Sequence, residues 1–219
     1  MPKIGLPAPA LLALVKAWGA TVLASATTVA EARWLHAHGA DAVIAQGLEA
    51  GGHRGHFLSH GLSLQMGTFA LLPQVLRAVP CPVIAAEGIA DADGVVAARA
   101  LGAAAVQLGT SFLLCDEASA SVVHRAALQQ PGAAHTALTN VHRPSGAQHR
   151  QPRDGRARMP APAGTALPLG RQRDRRAACS GRSARLGRFL PLWADQNTSG
   201  CHPVPAAVLL RQLAQRCPT

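Results

Sequence analysis

The stretch Asp41–Phe57, DAVIAQGLEAGGHRGHF, begins as a short apolar strand, Ala42-Val43-Ile44-Ala45, and then breaks into a polar, glycine-rich turn. The turn carries Gln46, Glu49, Gly51, Gly52, His53 and Gly55. A buried strand that opens into such a loop is how an α/β barrel presents chemistry at the C-terminal ends of its strands. Paired glycines let backbone approach a flat ligand closely, because no Cβ stands in the way. A histidine directly after them can reach that ligand, and an imidazole titrates near neutrality, as proton abstraction requires. Taken alone, the same stretch also reads as a glycine-rich surface loop with a solvated histidine.

Working outward, the same strand-and-helix unit recurs. Leu11, Leu12, Leu14, Val15 and Trp18 predict a helix with an apolar face, closed by Gly19. Thr21–Ser25 reads as a strand. Thr27 or Thr28 can cap the next helix, with Glu31 in a capping-box position. After the loop 46–68, a helix is expected from Phe69 to Val79 and a strand over 82–86. Asp91 or Asp93 starts a helix through Leu101, and a strand at 104–107 follows. Ser119 or Ser121 caps a last helix to Gln129. Strands alternating with helices imply βαβ units and a parallel sheet. The four strands are half of a (β/α)8 barrel and cannot close on themselves, so the expected fold is a partial barrel or an open α/β layer.

The strand ends carry the candidate site. Gln46-Gly47 with Gly51-Gly52-His53, then Glu87-Gly88, then Gln107-Leu108-Gly109-Thr110 fall on one face of a parallel barrel. Glycine turns at such ends offer backbone N–H groups to an anion, and Thr110 adds a hydroxyl.

Composition limits the alternatives. The net charge of +10 suggests nucleic acid until it is mapped. Residues 142–188 hold twelve Arg and two Asp, which is the whole excess; the rest has nine basic and nine acidic residues. The Arg-rich segment lacks Val, Ile, Lys and aromatic residues, so it cannot bury enough apolar surface to offset its ordering entropy. It can hold phosphate backbones without sequence preference, but has no aromatic interleaving for base stacking. No apolar run approaches the ~18 residues of a membrane span. Pro7 and Pro9 before the first apolar run, and Lys16 within it, argue against a signal peptide. The five cysteines form no CxxC pair, so no disulfide framework or metal site is expected, and a cytoplasmic setting is the default.

GADAVIAQGLEAGGHRGHF at 39–57, PVIAAEGIADADGVVAARALGAAAVQLGTSFL at 82–113 and LWADQN at 192–197 together resemble the nitronate monooxygenase family, FMN-dependent TIM-barrel enzymes. The resemblance runs through residues 5–141 and again from about residue 189. It implies that His53 takes the α-proton of a neutral nitroalkane. It assigns Gln46 and Gly51 to flavin contacts, and Gly88, Gln107, Leu108, Gly109 and Thr110 to the FMN phosphate and ribityl chain. The implied substrates are a nitronate and O2. The chain departs from the family at Glu87-Gly88, where two glycines are usual. A carboxylate beside a phosphate repels it, so Glu87 has to point away or weaken binding.

The resemblance further implies that the chain starts near the family's fifth strand, without the N-terminal half-barrel. Three parts are expected: 1–141, a partial FMN-binding barrel; 142–188, an irregular Arg/Pro-rich segment; and 189–219, a family-like end with a short helix. Family members continue after TALTN with a stretch like TGRPARSIVNR, where this chain has HRPSGAQHRQPR at 142–153. Synonymous codons for that string, read from the second base, spell TGRPAPSIVNR. A reading-frame shift across 142–188 accounts for this, and the coding DNA tests it. Three other readings stay open: a non-functional fragment, a related FMN enoyl-thioester reductase, and a nonspecific nucleic-acid binder.

Overall fold

The computed structural model describes residues 5–59, 61–136 and 192–216. The frame-shift reading and the whole Arg-rich segment 142–188 lie outside the described residues. The chain divides into two compact units, 1–120 with 194–219, and 121–193.

The first unit is a run of βα units. It comprises α1 (Pro9–Ala17), β1 (Leu23–Ala26), α2 (Val29–Ala37), β2 (Ala42–Gln46), α3 (Thr68–Ala78), β3 (Val83–Ala86), α4 (Ala92–Ala100) and β4 (Ala105–Gln107). The strands form one parallel sheet in the order β1-β2-β3-β4. This is the partial parallel barrel-type fold expected from the alternation. Among the described residues β1 and β4 each pair on one side only. In the second unit α5 (Val122–Leu128) is capped by Ser121, whose hydroxyl accepts the His124 N–H.

Local chemistry sets the element boundaries. Thr28 Oγ1 accepts the Glu31 N–H at 3.2 Å, and Asp91 Oδ1 accepts the Gly94 N–H at 2.8 Å, so two of the expected caps are formed. Gly39 and Gly102 follow α2 and α4 with φ of 100° and 106°, the left-handed conformation that ends a helix. β1 starts two residues later than the sequence suggests. Val22 gives its N–H to Asp41 Oδ2 at 2.8 Å, and Asp41 Oδ1 also accepts from Lys16 Nζ at 2.7 Å. The Lys16 and Val22 bonds hold the Asp41 carboxyl below its usual range.

The core lies between the sheet and its helices. Ala24, Ala26, Val43, Ala45, Val83 and Ala85 line the strands, and Leu35, Leu71, Leu72 and Val75 of α2 and α3 fill the space above these small side chains. α6 (Ala206–Ala214) packs on α4 through Leu209 and Leu213. Glu117 Oε2 accepts the Ala206 N–H at the start of α6, which holds the Glu117 carboxyl below its ordinary value. The apolar stripe of α1 is covered less than its sequence suggests. Leu12 is buried, but Leu11, Leu14 and Trp18 are exposed, because the described chain packs only against the side carrying Leu12.

Candidate functional site

Sheet register brings the three polar loops together. Gln46 lies level with Ala86, and Ala86 with Gln107, so the loops after β2, β3 and β4 leave from one rim. The long loop after β2 is fastened to that rim by side chains. Gln46 uses its whole amide: Oε1 accepts the Gly55 N–H at 2.7 Å, while Nε2 donates to the His53 carbonyl at 3.1 Å and to Glu87 Oε1 at 3.2 Å. Further along, Glu31 Oε1 accepts the N–H groups of Phe57 and Leu58 at 2.6 and 3.2 Å. Its Oε2 accepts the N–H and hydroxyl of Thr27, both at 2.8 Å. Glu31, expected from the sequence as a capping-box residue, is a buried carboxylate with four donors that ties the first βα turn to the His53 loop. No local signal announces this, since its loop partners lie more than 25 residues away.

Residues 194–201 cross the rim as a strap. Gln196 donates its N–H to the Glu49 carbonyl at 3.1 Å, and Asp195 its N–H to Thr110 Oγ1 at 2.9 Å. Asp195 Oδ2 accepts the Gly88 N–H at 2.6 Å, the short distance of a charge-assisted bond. Asp195 Oδ1 accepts the Asn197 N–H at 2.9 Å, and Asn197 Nδ2 returns to the Gly88 carbonyl at 2.9 Å. Gly51 lies so close beneath the strap that a Cβ there would overlap the backbone of Ala194 and Asp195.

Three carboxyl groups crowd this rim. Glu49 caps α3, accepting the Thr68 N–H at 3.0 Å. Glu87 sits at φ 85°, a left-handed conformation that L side chains seldom adopt. Burial pushes its carboxyl up; the Gln46 bond opposes this, and neighbouring Asp195 adds to it. Burial also raises Asp195, against the bonds from Asn197 and Gly88. Arg54 is the opposing charge. Burial lowers its guanidinium, while Glu87, Glu49 and Asp195 hold it charged. Its Nη1 donates to the Gly47 carbonyl at 3.2 Å, and its buried Nε has no hydrogen-bond partner among the described residues. Cys201, beside the strap, donates to the Thr110 carbonyl, and burial lifts its thiol to about 11.

A pH dependence follows from Glu87. A carboxyl raised in the folded chain adds stability that is fully present below its ordinary value of 4.5 and is lost as pH rises through the folded value. Asp195, raised from 3.8, acts in the same direction. Glu87→Gln lacks the ionisation. It is expected to melt higher than the wild type at pH 7, with the gap closing as pH falls toward 4.5. Thermal unfolding followed by circular dichroism at several pH values checks this; a gap that widens on acidification contradicts it.

Of the predicted site residues, Gln46, Gly51, Gly88 and Thr110 come together beneath the strap. Gln107 is exposed at the tip of β4, Leu108 packs against the core, and a Cβ at Gly109 would meet nothing within 4 Å. His53 is exposed at the loop crest. Of the donors that the resemblance assigns to an FMN phosphate, the Gly88 amide is in use, holding Asp195; the Thr110 hydroxyl accepts from the Asp195 backbone N–H. A phosphate dianion does not fit against the Asp195 carboxylate in this arrangement. A surface cleft of about 230 Å3 lies between α2 and α3, lined by Arg33, Gln74 and Arg77. Among the described residues no helix is long and apolar enough to cross a membrane.

Comparison with known proteins agrees with this fold. The nitronate monooxygenase family model matches residues 3–178, running into the Arg-rich segment. The nitronate monooxygenase of Pseudomonas aeruginosa is 51% identical over 125 residues, which are 57% of this chain and 36% of that protein. That of Paraburkholderia phytofirmans is 38% identical over 221 residues, covering 95% of this chain and 58% of the relative. The chain therefore spans well under two thirds of the length of these curated relatives. Among solved structures, nitroalkane oxidase from Streptomyces ansochromogenes superposes with a TM-score of 0.75 at 32% identity, covering 97% of this chain and 62% of that one. The FabK (M276A) mutant from Thermotoga maritima does so with a TM-score of 0.63 at 26% identity, covering 96% and 63%. With its parallel βα units, its glycine-lined strand tips and a family match over most of its length, this chain belongs to the nitronate monooxygenase family.

Proposed function

We propose that the chain supplies the cofactor-facing rim of an FMN-dependent oxidoreductase that oxidises alkyl nitronates or nitroalkanes with O2. Family membership supports the reaction class, and the observation that carries the reading is the register Gln46–Ala86–Gln107, which gathers three polar loops on one rim. The flavin, when bound, supplies the electron acceptor. His53 takes the α-proton from a neutral nitroalkane. Its backbone is steadied by Gln46, and the loop beyond it by Glu31. Gln46, Gly51, Gly88, Gln107, Leu108, Gly109 and Thr110 are the proposed cofactor contacts, Gly88 only once Asp195 has left its amide and Leu108 only through its backbone. The proposed division is a barrel part over 1–141, an Arg/Pro-rich segment over 142–188 and a C-terminal part over 189–219. The thiols of Cys81 and Cys201 suit a reducing cytoplasm.

The test is a visible absorption spectrum of the purified chain with and without added FMN, followed by turnover. His53→Ala is expected to lower turnover of neutral nitroalkanes by roughly 10²–10⁴-fold, the usual worth of a general base. Preformed nitronates, which have no α-proton to lose, should be affected far less. Equal loss on both substrates removes the base role. A second reading, a fragment that binds no flavin, is favoured by the Asp195–Gly88 bond, and a colourless protein that takes up no FMN selects it.

A further inference from the structure

We infer that Asp195 is a built-in competitor for the phosphate seat, so that the strap 194–197 decides whether a phosphorylated flavin can bind this rim. The inference rests on the flavin reading above but concerns residues to which that reading gives no role. Three observations carry it.

First, the Asp195 carboxylate takes the Gly88 N–H at 2.6 Å, in the manner of a bound anion, from a position 107 residues away in sequence. Second, the Asp195 backbone N–H donates to Thr110 Oγ1 at 2.9 Å, so one residue engages the tips of both β3 and β4. Third, the strap is locked down on either side, by Gln196 on the Glu49 carbonyl and by Asn197 on the Gly88 carbonyl. The charges around it act in the same sense. Glu87 and Glu49 face the same space, and Arg54 is the cation set against all three carboxyl groups. An incoming phosphate has to displace Asp195 and then sit beside Glu87 and Glu49. A flavin without a phosphate meets neither demand. Asp195 therefore acts as a specificity residue: it penalises the phosphate and leaves the ring system untouched.

The experiment compares FMN with riboflavin, titrated against the full chain by flavin fluorescence, for wild type, Asp195→Gly and Asp195→Asn. Both variants are first checked for an unchanged circular dichroism spectrum. Asp195→Asn keeps the shape of the side chain, so it remains informative if the glycine variant does not fold. Both substitutions are expected to tighten FMN binding roughly tenfold or more, the scale of one charge-assisted hydrogen bond, and to leave riboflavin affinity unchanged. Inorganic phosphate, read as a rise in melting temperature, should stabilise the variants more than the wild type. If both flavins bind and the FMN-to-riboflavin ratio does not move, or moves toward riboflavin, the competitor role is overturned while the flavin reading stands. If neither flavin binds any of the three proteins, the flavin reading itself fails, and this inference with it.

Discussion

Glu31→Ala should destabilise the chain by about 3–5 kcal/mol, because one buried side chain and four hydrogen bonds are lost together. The Glu31 carboxylate is 1% exposed and accepts four hydrogen bonds, from the N–H and hydroxyl of Thr27 and the N–H groups of Phe57 and Leu58. Truncation leaves the two buried Thr27 donors facing a cavity, at about 1–3 kcal/mol each, and takes the part-buried N–H groups of Phe57 and Leu58 off their anchor. The loss is not confined to the helix. Phe57 sets its ring edge-on to Trp34 at 5.1 Å, and Trp34 in turn stacks on His38 at 3.9 Å, so a freed residue 57 loosens the outer face of α2 as well. Glu31→Gln keeps the volume but turns an NH2 group toward N–H donors, so it should still cost more than about 2 kcal/mol. Urea unfolding followed by far-ultraviolet circular dichroism measures both variants. A loss below about 1 kcal/mol for the alanine variant would mean that the loop does not depend on this carboxylate.

Gly51→Ala is the second large effect. A Cβ at this position would overlap the carbonyl carbon of Ala194 and the nitrogen of Asp195, which are backbone atoms that no rotamer change can clear. The strap has to lift. Lifting it breaks the Gln196–Glu49, Asp195–Thr110 and Gly88–Asp195 bonds together. The expected cost is about 2–4 kcal/mol, as for other overpacked sites with several dependent hydrogen bonds. Hydrogen exchange gives a local readout: the Gly88 and Asp195 amides should exchange faster, while those of the β2 strand stay protected. Gly109→Ala is the matched control. A Cβ there meets nothing within 4 Å, so its stability should change by less than about 0.5 kcal/mol. Equal effects at the two glycines would show that the strap does not rest on Gly51.

The departure at Glu87 shows where sequence reading stops. Glu87-Gly88, where the resemblance expects two glycines, leaves two outcomes open to a sequence reading: a carboxylate turned away, or weakened phosphate binding. The structure shows what the carboxylate meets instead, Gln46 on one side and Asp195 on the other. In the sequence Asp195 is one residue of LWADQN with no sign of a partner. Its capture of Gly88 depends on the chain returning across the rim, which composition and spacing do not encode.

The alternation of strands and helices, the caps at Thr28 and Asp91, the glycines that end α2 and α4, and membership of the family were all set by the amino-acid order alone. These features depend on groups within a few residues of one another, where periodicity and local hydrogen bonding are legible. Only the tertiary structure decided that Glu31 holds the His53 loop, that Arg54 faces three carboxyl groups, and that Asp195 sits on the Gly88 amide. Each of these joins groups brought together by the parallel sheet and the returning strap. Which donor meets which acceptor there follows from packing across the rim and not from neighbours along the chain.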